Sequence, residues 1–307
     1  MDKAKIRKYL EVIRRASDLI EKELQGGMEI TPDELKAPIT SIEAKPEKII
    51  DGRPQQMDKL LFIKEWPEAI VGYNSDYVLT TEDKIDSANA LIQILIDTPL
   101  NGINFLDFGS GESLVASQVL ELGAKTSTAY DICDFDFAVN SSFNFTTEFD
   151  SLKKAYYDVI LLNDVLDHCM NPEVVMQQVK SLLDPKGIVY VRCHPWTAKH
   201  GAHLHKTGLN KSYIHLFLTE KELALRNYKP IFVRHETNPL EAYKWWFKDF
   251  NIDMERVIKD ELNPFFKNPV YQNLIFEQQN VAEQDKKKFI ENMKIIFVDY
   301  VLTIKES

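Results

Sequence analysis

The sequence predicts an α/β fold with a doubly wound, mostly parallel seven-stranded sheet. Between residues 80 and 236, short apolar segments alternate with amphipathic segments whose apolar residues recur at helical spacing. Continuous apolar strands that alternate with helices are typical of a parallel sheet with helices on both faces. The first of these apolar segments also leads, after Asp107, into a Gly-x-Gly turn, and a glycine-rich turn commonly follows the first strand of a doubly wound sheet.

Residues 1–80 are predicted to form an N-terminal cap on the domain that follows. An amphipathic helix is expected over residues 3–24, because apolar residues recur there every three to four positions. Residues 28–80 are expected to be irregular, since five prolines interrupt them. The next helix is expected to begin with Thr80 or Thr81 as its N-cap, and a Thr-Pro pair ends it.

The core domain is predicted to span residues 81–238. Its elements are expected in the order strand 103–108, helix 114–122, strand 126–130, short strand 142–146, strand 157–162, helix 172–183, strand 188–193, helix 220–227 and strand 231–235. Residues 239–307 are predicted to hold a helical, aromatic-rich insertion over 239–290 and a last strand over 294–303. The insertion has two interpretations, a lid over an active site or the surface of a homodimer.

Composition and charge narrow the class of protein. The chain has 307 residues and a formal net charge of −10, which repels nucleic acid at long range. It contains no run of about 18 apolar residues, so no membrane span is expected, and its charged N-terminal segment does not resemble a signal peptide. Three cysteines without paired spacing argue against a disulfide framework. A reducing, cytoplasmic location without a membrane partner is therefore the expectation.

The strongest functional signal is the turn that follows the first core strand. The strand ends in Asp107, and Gly109-Ser110-Gly111 then leads into a helix. Glycines are needed where the backbone approaches a ligand closely or adopts a positive φ. A dinucleotide site would have a third glycine at position 114, which is leucine here. A carboxylate at Asp107 suits a cationic cofactor, whereas it would repel the phosphates of NAD.

This turn resembles motif I of the class I S-adenosylmethionine (SAM)-dependent methyltransferases, D-x-G-x-G-x-G. Ser113 stands in the place of the last glycine. The second strand ends in Asp131-Ile132, and an acidic residue about 20 positions beyond the glycine turn usually binds ribose hydroxyls. Ile132 is then a candidate for packing on adenine. Asp131 has a second interpretation as the N-cap of a helix.

Two further motifs extend the resemblance. Residues 157–168 are similar to the methyltransferase pattern fDlvl…evLeHv, and residues 182–191 are similar to its LLkpGGilyv turn. The chain thus resembles class I methyltransferases over about residues 80–236, which implies that 294–303 is the antiparallel last strand. The cofactor contacts that the resemblance implies are Asp107, Gly109, Ser110 and Gly111 at the amino-acid end of SAM, Asp131 at the ribose, and Asn163 facing the cofactor.

A long stretch without acidic residues surrounds the end of the fifth core strand. From Pro185 to Thr219 there is no Asp or Glu, but there are five basic residues and five histidines. Because this stretch should lie beside the methyl donor, it predicts a small-molecule or nucleotide-like acceptor that bears phosphate or carboxylate. The alternatives are a solvated loop without a functional role and a binding surface for RNA or DNA.

The spacing Asp164-x-x-Asp167-His168 predicts a divalent cation as a second cofactor. It is similar to the E-x-x-E-H of ubiquinone-pathway O-methyltransferases and of the methyltransferases that act on small-RNA ends, with each glutamate shortened to aspartate. His215 falls in the place of the distant histidine of the second group. Two carboxylates and two imidazoles suit Mg²⁺, Mn²⁺ or Zn²⁺, which would lower the pKa of the acceptor. The three histidines between residues 200 and 205 are a second candidate cation site.

A histidine general base is the alternative to a metal, and the one that the sequence favours. His168 or His194 would take the acceptor's proton near pH 7, where imidazole has a suitable pKa. The predicted reaction is in-line transfer of the methyl group to an oxygen or nitrogen of the acceptor. Two other functions stay open: an RNA or DNA methyltransferase that uses residues 185–219, and an inactive SAM-binding subunit of an assembly.

Overall fold

The computed structural model describes residues 66–71, 80–134, 142–225, 227–228 and 238–305. The helix predicted over residues 3–24 and the strand predicted over 231–235 lie outside these residues. The extents of the predicted cap, core domain and insertion stay predictions. Within the described part of the chain, no helix combines the length and the apolar character that crossing a membrane requires.

A seven-stranded sheet forms the centre of the fold. Its strands are β1 (Asn104–Phe108), β2 (Thr126–Tyr130), β3 (Asn144–Thr146), β4 (Tyr157–Asn163), β5 (Leu183–Cys193), β6 (Phe250–Lys259) and β7 (Ile295–Ile304). The strand order is β3-β2-β1-β4-β5-β7-β6. Strands β1 to β5 pair in parallel, whereas β7 runs antiparallel to both β5 and β6. The predicted doubly wound fold with an antiparallel last strand is confirmed.

Helices and short turns connect the strands. The helices are α1 (Thr81–Leu95), α2 (Leu114–Glu121), α3 (Pro172–Leu182), α4 (Ile214–Phe217), α5 (Glu220–Ala224), α6 (Pro239–Trp246), α7 (Pro269–Gln278) and α8 (Lys286–Met293). A capping box begins α1, because Thr80 Oγ1 accepts from Asp83 N at 3.1 Å while Asp83 Oδ2 accepts from Thr80 N at 2.9 Å. Thr80 is therefore the N-cap, which decides between the two predicted candidates.

The sheet is covered on both faces, which explains why its strands read as continuous apolar runs. Phe105 and Leu106 are neighbours in β1, and both are fully buried. Because successive side chains of a strand point to opposite faces, they enter different apolar clusters. Phe105 shares one cluster with Ile92 of α1, and Leu106 shares the other with Val179 of α3. Because β1 pairs in parallel with β2 and with β4, the carboxyl ends of these three strands meet at one edge of the sheet. The loops that follow the strands lie at this edge.

The region predicted as a helical insertion differs from the structure in one element. Its helices α6, α7 and α8 are present, but Phe250–Lys259 is a strand at the edge of the sheet. The register of β6 shifts between Ile252 and Met254, and again between Ile258 and Lys259. Each shift interrupts the period-two alternation by which a strand is recognised in a sequence. The roles predicted for this region, as a lid or a homodimer surface, stay predictions.

A third apolar cluster fixes the segment between β5 and α5. Trp66 is 1% exposed and stacks on Phe217 of α4 at 4.6 Å between ring centroids. Phe266 and Ile275, from the α7 region, complete this side of the cluster. The indole N–H of Trp66 also donates to the carbonyl oxygen of Ser212. The segment that carries most of the histidines is therefore packed against the body of the protein.

Candidate functional site

The turn between β1 and α2 is held against the end of β2. Gly109 N and Ser110 N both donate to the carbonyl oxygen of Tyr130, at 2.7 and 3.0 Å. Gly111 N donates to Oδ2 of Asp131 at 2.9 Å. The φ angles of Gly109 and Gly111 are +78° and +50°, in the region that favours glycine. The structure thus brings these three turn residues together with Asp131.

The two glycines of this turn are needed for different reasons. A Cβ atom at Gly109 would lie 2.5 Å from Cγ2 of Val165, so the segment after β4 already fills that space. A Cβ atom at Gly111 would have no atom within 4 Å, so that side of the turn faces open space. This open side lies where the strand order reverses between β1 and β4, the place where ligands of doubly wound sheets bind. The residues present therefore fit a cofactor that lies close to the backbone at Gly111.

Three other predicted cofactor residues lie at the same edge of the sheet. Asp131 follows β2, and its Oδ1 accepts from Cys133 N at 3.0 Å. A carboxylate has several lone pairs, so these backbone bonds leave capacity for the hydroxyls of a ribose. Ile132 is 82% exposed and is available for contact with a ligand. Asn163 ends β4 beside the turn and is half-buried. The contacts of these residues with SAM stay predictions.

Asp107 is buried below the glycine turn, with 4% of its surface exposed. This burial raises the pKa of its carboxyl group to about 7. A backbone hydrogen bond from Ala116 opposes the shift, and the charge of Asp131 adds to it. A cation bound nearby would favour the charged form of this carboxyl group.

We expect Asp107 to make the stability of the protein depend on pH. Its pKa is about 7 in the folded protein against 3.8 ordinarily, so its contribution to the free energy of unfolding is complete below pH 3.8 and is lost as pH rises through 7. Urea unfolding at pH 5 and pH 8 should therefore show a smaller loss of stability in Asp107→Asn than in the wild type. Equal losses in the two proteins would contradict this expectation.

Ser113 occupies the position of the third motif glycine and adopts a glycine-like backbone. Its φ is +59°, and the residue is fully buried at the start of α2. Its hydroxyl group bonds that of Ser110, with 2.9 Å between the oxygens. A left-handed conformation costs a residue with a Cβ atom roughly 1–2 kcal/mol. The structure thus has a left-handed backbone at this position, a conformation that glycine adopts without strain.

Because of its left-handed backbone, position 113 should be more stable with glycine than with alanine, the opposite of the order usual in a helix. Ser113→Gly and Ser113→Ala both lose the hydroxyl group, but only alanine keeps the strained Cβ atom. We expect Ser113→Gly to be more stable than Ser113→Ala by about 1 kcal/mol, or about 2–4 °C in Tm. The matched pair Gln118→Gly and Gln118→Ala, inside α2, should show the opposite order, because glycine is the poorer helix former. Thermal unfolding of the four variants measures both differences.

Histidines from two segments gather beside this edge of the sheet. His194 follows β5, and its ring centroid lies 4.5 Å from that of His200 and 4.9 Å from that of His203. His168, in the turn after β4, lies 5.2 Å from His203. His205 is next to the group, 5.8 Å from His203. The two predicted bases, His168 and His194, are therefore in one cluster.

Burial keeps most of this cluster uncharged at neutral pH. It lowers the pKa of His194 well below 6.5, the pKa of His200 to about 4 and the pKa of His203 to about 3. His194 is only 1% exposed. These histidines therefore do not add positive charge to residues 185–219 at pH 7, and His194 is a weak proton acceptor.

Asp167 connects three parts of the site. It is 1% exposed, and its Oδ2 accepts from the backbone N–H of His194 at 2.6 Å. Its Oδ1 accepts from the hydroxyl group of Tyr243, in α6, at 3.0 Å. Burial raises the pKa of Asp167 well above 3.8, against the effect of these hydrogen bonds. Both oxygens of Asp167 are thus used to position the protein's own segments.

The four predicted metal ligands are not gathered as one group. Asp167 is engaged as described, and Nε2 of His215 lies 2.6 Å from the carbonyl oxygen of Trp196, with which it is hydrogen-bonded. Asp164 adopts φ +56°, and its buried Oδ1 has no hydrogen-bond partner among the described residues. In the described part of the chain, the group whose ligand atoms converge is instead three histidines: His194, His200 and His203.

Most of the basic residues in the predicted positive stretch are engaged within the protein. Arg192 forms a bidentate pair with Asp299, at 2.7 and 2.9 Å. Lys199 pairs with Asp260 at 2.7 Å, and Lys211 donates to a backbone carbonyl oxygen at 2.8 Å. Acidic residues that are distant in sequence therefore neutralise part of this stretch.

The family of the chain follows from this arrangement and from its sequence. Residues 82–257, more than half of the chain, match the family model described as a methyltransferase domain. The chain belongs to this family. With its seven-stranded, mostly parallel sheet, it is a class I SAM-dependent methyltransferase. No curated protein matches the chain.

Several solved methyltransferase structures are similar in outline. A SAM-dependent methyltransferase from Mesorhizobium loti is 14% identical, with a TM-score of 0.43, and the match covers 71% of this chain and 99% of that one. One from Archaeoglobus fulgidus is 13% identical, covers 71% and 93%, and has a TM-score of 0.44. Phosphoethanolamine N-methyltransferase 2 from Haemonchus contortus, in complex with SAM, is 14% identical, covers 72% and 53%, and has a TM-score of 0.42. The assignment rests on the family model and the strand order, because TM-scores this low add no weight.

Two residues that shape the site of this methyltransferase were not predicted. Tyr243 lies in the aromatic-rich region, and nothing in that pattern distinguishes it from a core residue. Asp299 is 0% exposed and binds both Arg192 and Arg256. A single acidic residue inside the apolar run 295–304 is the signal that would have found Asp299, because a buried carboxylate needs a partner.

Proposed function

We propose that the enzyme methylates an oxygen or nitrogen of a small anionic or nucleotide-like acceptor, and that His168 is the general base. When bound, SAM supplies a methyl group that its sulfonium already activates. The protein then has to orient the acceptor and to remove its proton. The observation that carries the proposal is the position of His168, half-buried at the carboxyl edge of β4 and within electrostatic reach of Asp164.

The contrast between the two candidate bases supports His168. His194 is 1% exposed, and its pKa is lowered well below 6.5, so it binds a proton poorly at neutral pH. His168 is more exposed than His194 and lies close to the carboxyl group of Asp164. Burial raises the pKa of Asp164, and the positive charge of His168 opposes this shift. A carboxylate beside an imidazole stabilises the protonated ring, as a base requires after it takes a proton.

The charge near His168 supports an anionic acceptor. Lys206 contributes positive charge to both Asp164 and His203. It belongs to a stretch of 35 residues, from Pro185 to Thr219, that contains no Asp or Glu. By contrast, the pairing of Arg192 and Lys199 with aspartates reduces the surface that a polynucleotide would need. A small acceptor with one or two anionic groups fits better than RNA or DNA.

Labelling experiments test this function directly. The purified enzyme is incubated with methyl-labelled SAM and with separate pools of anionic metabolites, nucleotides, total RNA and DNA. We expect label to appear in a small anionic product. Label in RNA or DNA would instead support a polynucleotide methyltransferase. Binding of SAM by calorimetry without label in any pool would support a binding subunit and would contradict the proposal.

A further inference from the structure

The strongest unassigned feature is the convergence of three imidazole rings next to β5. One ring nitrogen from each of His194, His200 and His203 lies within 4.8 Å of the other two. We propose that these three residues bind one divalent transition-metal ion, with Zn²⁺ as the fitting species. In a tetrahedral site with Zn–N bonds of about 2.0–2.1 Å, such nitrogens are ~3.4 Å apart. Each ring therefore has to move inward by less than about one ångström.

The backbone between these residues is folded tightly enough to bring the rings together. A chain of short turns runs through it, with Gly201 N donating to Ala198 O at 3.0 Å and His203 N donating to His200 O at 2.8 Å. A Cβ atom at Gly201 would lie 2.2 Å from the carbonyl oxygen of Trp196, so only glycine fits there. His203 itself has φ +52°. Strained backbone of this kind persists where the surroundings fix it, and it is often found at functional sites.

Contacts on either side hold the three ligands in place. The backbone N–H of His194 donates a hydrogen bond to Oδ2 of Asp167 at 2.6 Å, which fixes the position of His194. His215 is hydrogen-bonded to the carbonyl oxygen of Trp196, two residues further along. Thr197 Oγ1 donates to the carbonyl oxygen of Asn292 at 3.2 Å. A preorganised ligand set of this kind raises metal affinity, because little ordering remains to be done on binding.

The chemistry of the donors selects the metal. The group consists of three imidazoles, which suit Zn²⁺ and other transition metals better than Mg²⁺ or Ca²⁺, whose preferred ligands are oxygens. Burial keeps His200 and His203 neutral at pH 7, the state in which imidazole coordinates a metal. Three protein ligands leave a fourth position open, the arrangement of catalytic rather than structural zinc sites. The ion would lie beside the proposed base, since the ring centroids of His168 and His203 are 5.2 Å apart.

Metal binding can be measured on the full chain without any assumption about its acceptor. The protein, freed of any histidine tag, is stripped with a chelator and titrated with Zn²⁺ against a chromophoric chelator, and its metal content is measured by mass spectrometry. Co²⁺ serves as a second probe, because its visible absorption reports nitrogen ligation. We expect one ion per chain. His200→Gln and His203→Gln should each lower the affinity by more than about 100-fold, beyond the effect of losing an outer-shell contact.

His205→Gln is the matched control. It removes a histidine from the same segment, two positions after His203, that is outside the converging group. We expect this variant to keep the wild-type affinity and to be stabilised by Zn²⁺ in thermal unfolding, as the wild type is. His200 is only half-buried, so His200→Gln decides the question if His203→Gln fails to fold. Wild-type protein without stoichiometric Zn²⁺, an undiminished affinity in His200→Gln, or an equal loss in His205→Gln would each overturn the proposal.

Discussion

Replacing His168 with glutamine should lower kcat by roughly 10²–10⁴-fold while leaving the Kd for SAM unchanged. The factor is the usual contribution of a positioned general base. Glutamine keeps a polar side chain of similar reach but cannot accept the acceptor's proton. The affinity for SAM should not change, because His168 is not among the residues predicted to hold the cofactor. Steady-state kinetics with the acceptor found by labelling, together with calorimetry of SAM, separate the two effects.

Two further variants distinguish a base from a residue that only supports the fold. Imidazole added to the solution should restore part of the activity of His168→Ala, because the free ring can occupy the vacated space and take the proton. Asp164→Asn should show a smaller loss, since it removes only the charge that stabilises the protonated ring. If imidazole has no effect, or if SAM affinity falls in parallel with kcat, the role of His168 is structural.

The parts of the fold that depend on local pattern were predictable. Strand β2 has the predicted bounds, and β1 and β4 differ from theirs by one residue. β1 and β4 are buried on both faces, and they are therefore recognised as short, mainly apolar segments. The N-cap at Thr80 was among the candidates because its capping box is encoded within four residues. The edge strand β6 was missed, because its register shifts remove the alternation and it lacks a second neighbour to bury it.

In the candidate site, too, features fixed by neighbouring residues were predictable, whereas features that depend on distant parts of the chain were not. The glycine turn and Asp131 were predictable, since a tight turn and the residue after the next strand are fixed by short-range geometry. The role of Asp167 was not, because its two hydrogen-bond partners are 27 and 76 residues away. Its spacing from His168 indicated a metal ligand, whereas its burial makes it an anchor for the segment that begins at His194.

The amino-acid composition of residues 185–219 does not predict the charge that this segment carries in the folded protein. Five basic residues and five histidines in a segment without carboxylates indicated a positive surface. In the fold, Asp299 and Asp260 pair with Arg192 and Lys199. Burial keeps His194, His200 and His203 uncharged at neutral pH. Only the tertiary structure decides which of these groups keeps its charge, since a pKa depends on burial and on partners from any part of the chain.

Gly109→Ala should destabilise the protein by about 2–5 kcal/mol. About 1–2 kcal/mol comes from holding a Cβ atom at φ +78°, and about 1–3 kcal/mol comes from overpacking against Val165. The second part is testable by a double variant. Val165→Ala removes the two methyl carbons that lie 2.5 and 3.0 Å from the added Cβ, so Gly109→Ala/Val165→Ala should be more stable than Gly109→Ala alone. Urea unfolding of the three variants gives the coupling, and purely additive effects would mean that the contact is not formed.

Gly111→Ala and Gly102→Ala should be less destabilising than Gly109→Ala, because they introduce backbone strain without a steric clash. Both glycines have positive φ, +50° and +80°, and neither added Cβ meets an atom within 4 Å. We therefore expect each variant to lose only about 1–2 kcal/mol of stability. The affinity for SAM should separate them: Gly111→Ala should bind at least about tenfold more weakly, or about 1.4 kcal/mol, while Gly102→Ala, in the turn before β1, should bind as the wild type does. Equal affinities in the two variants would show that the cofactor does not approach the backbone at Gly111.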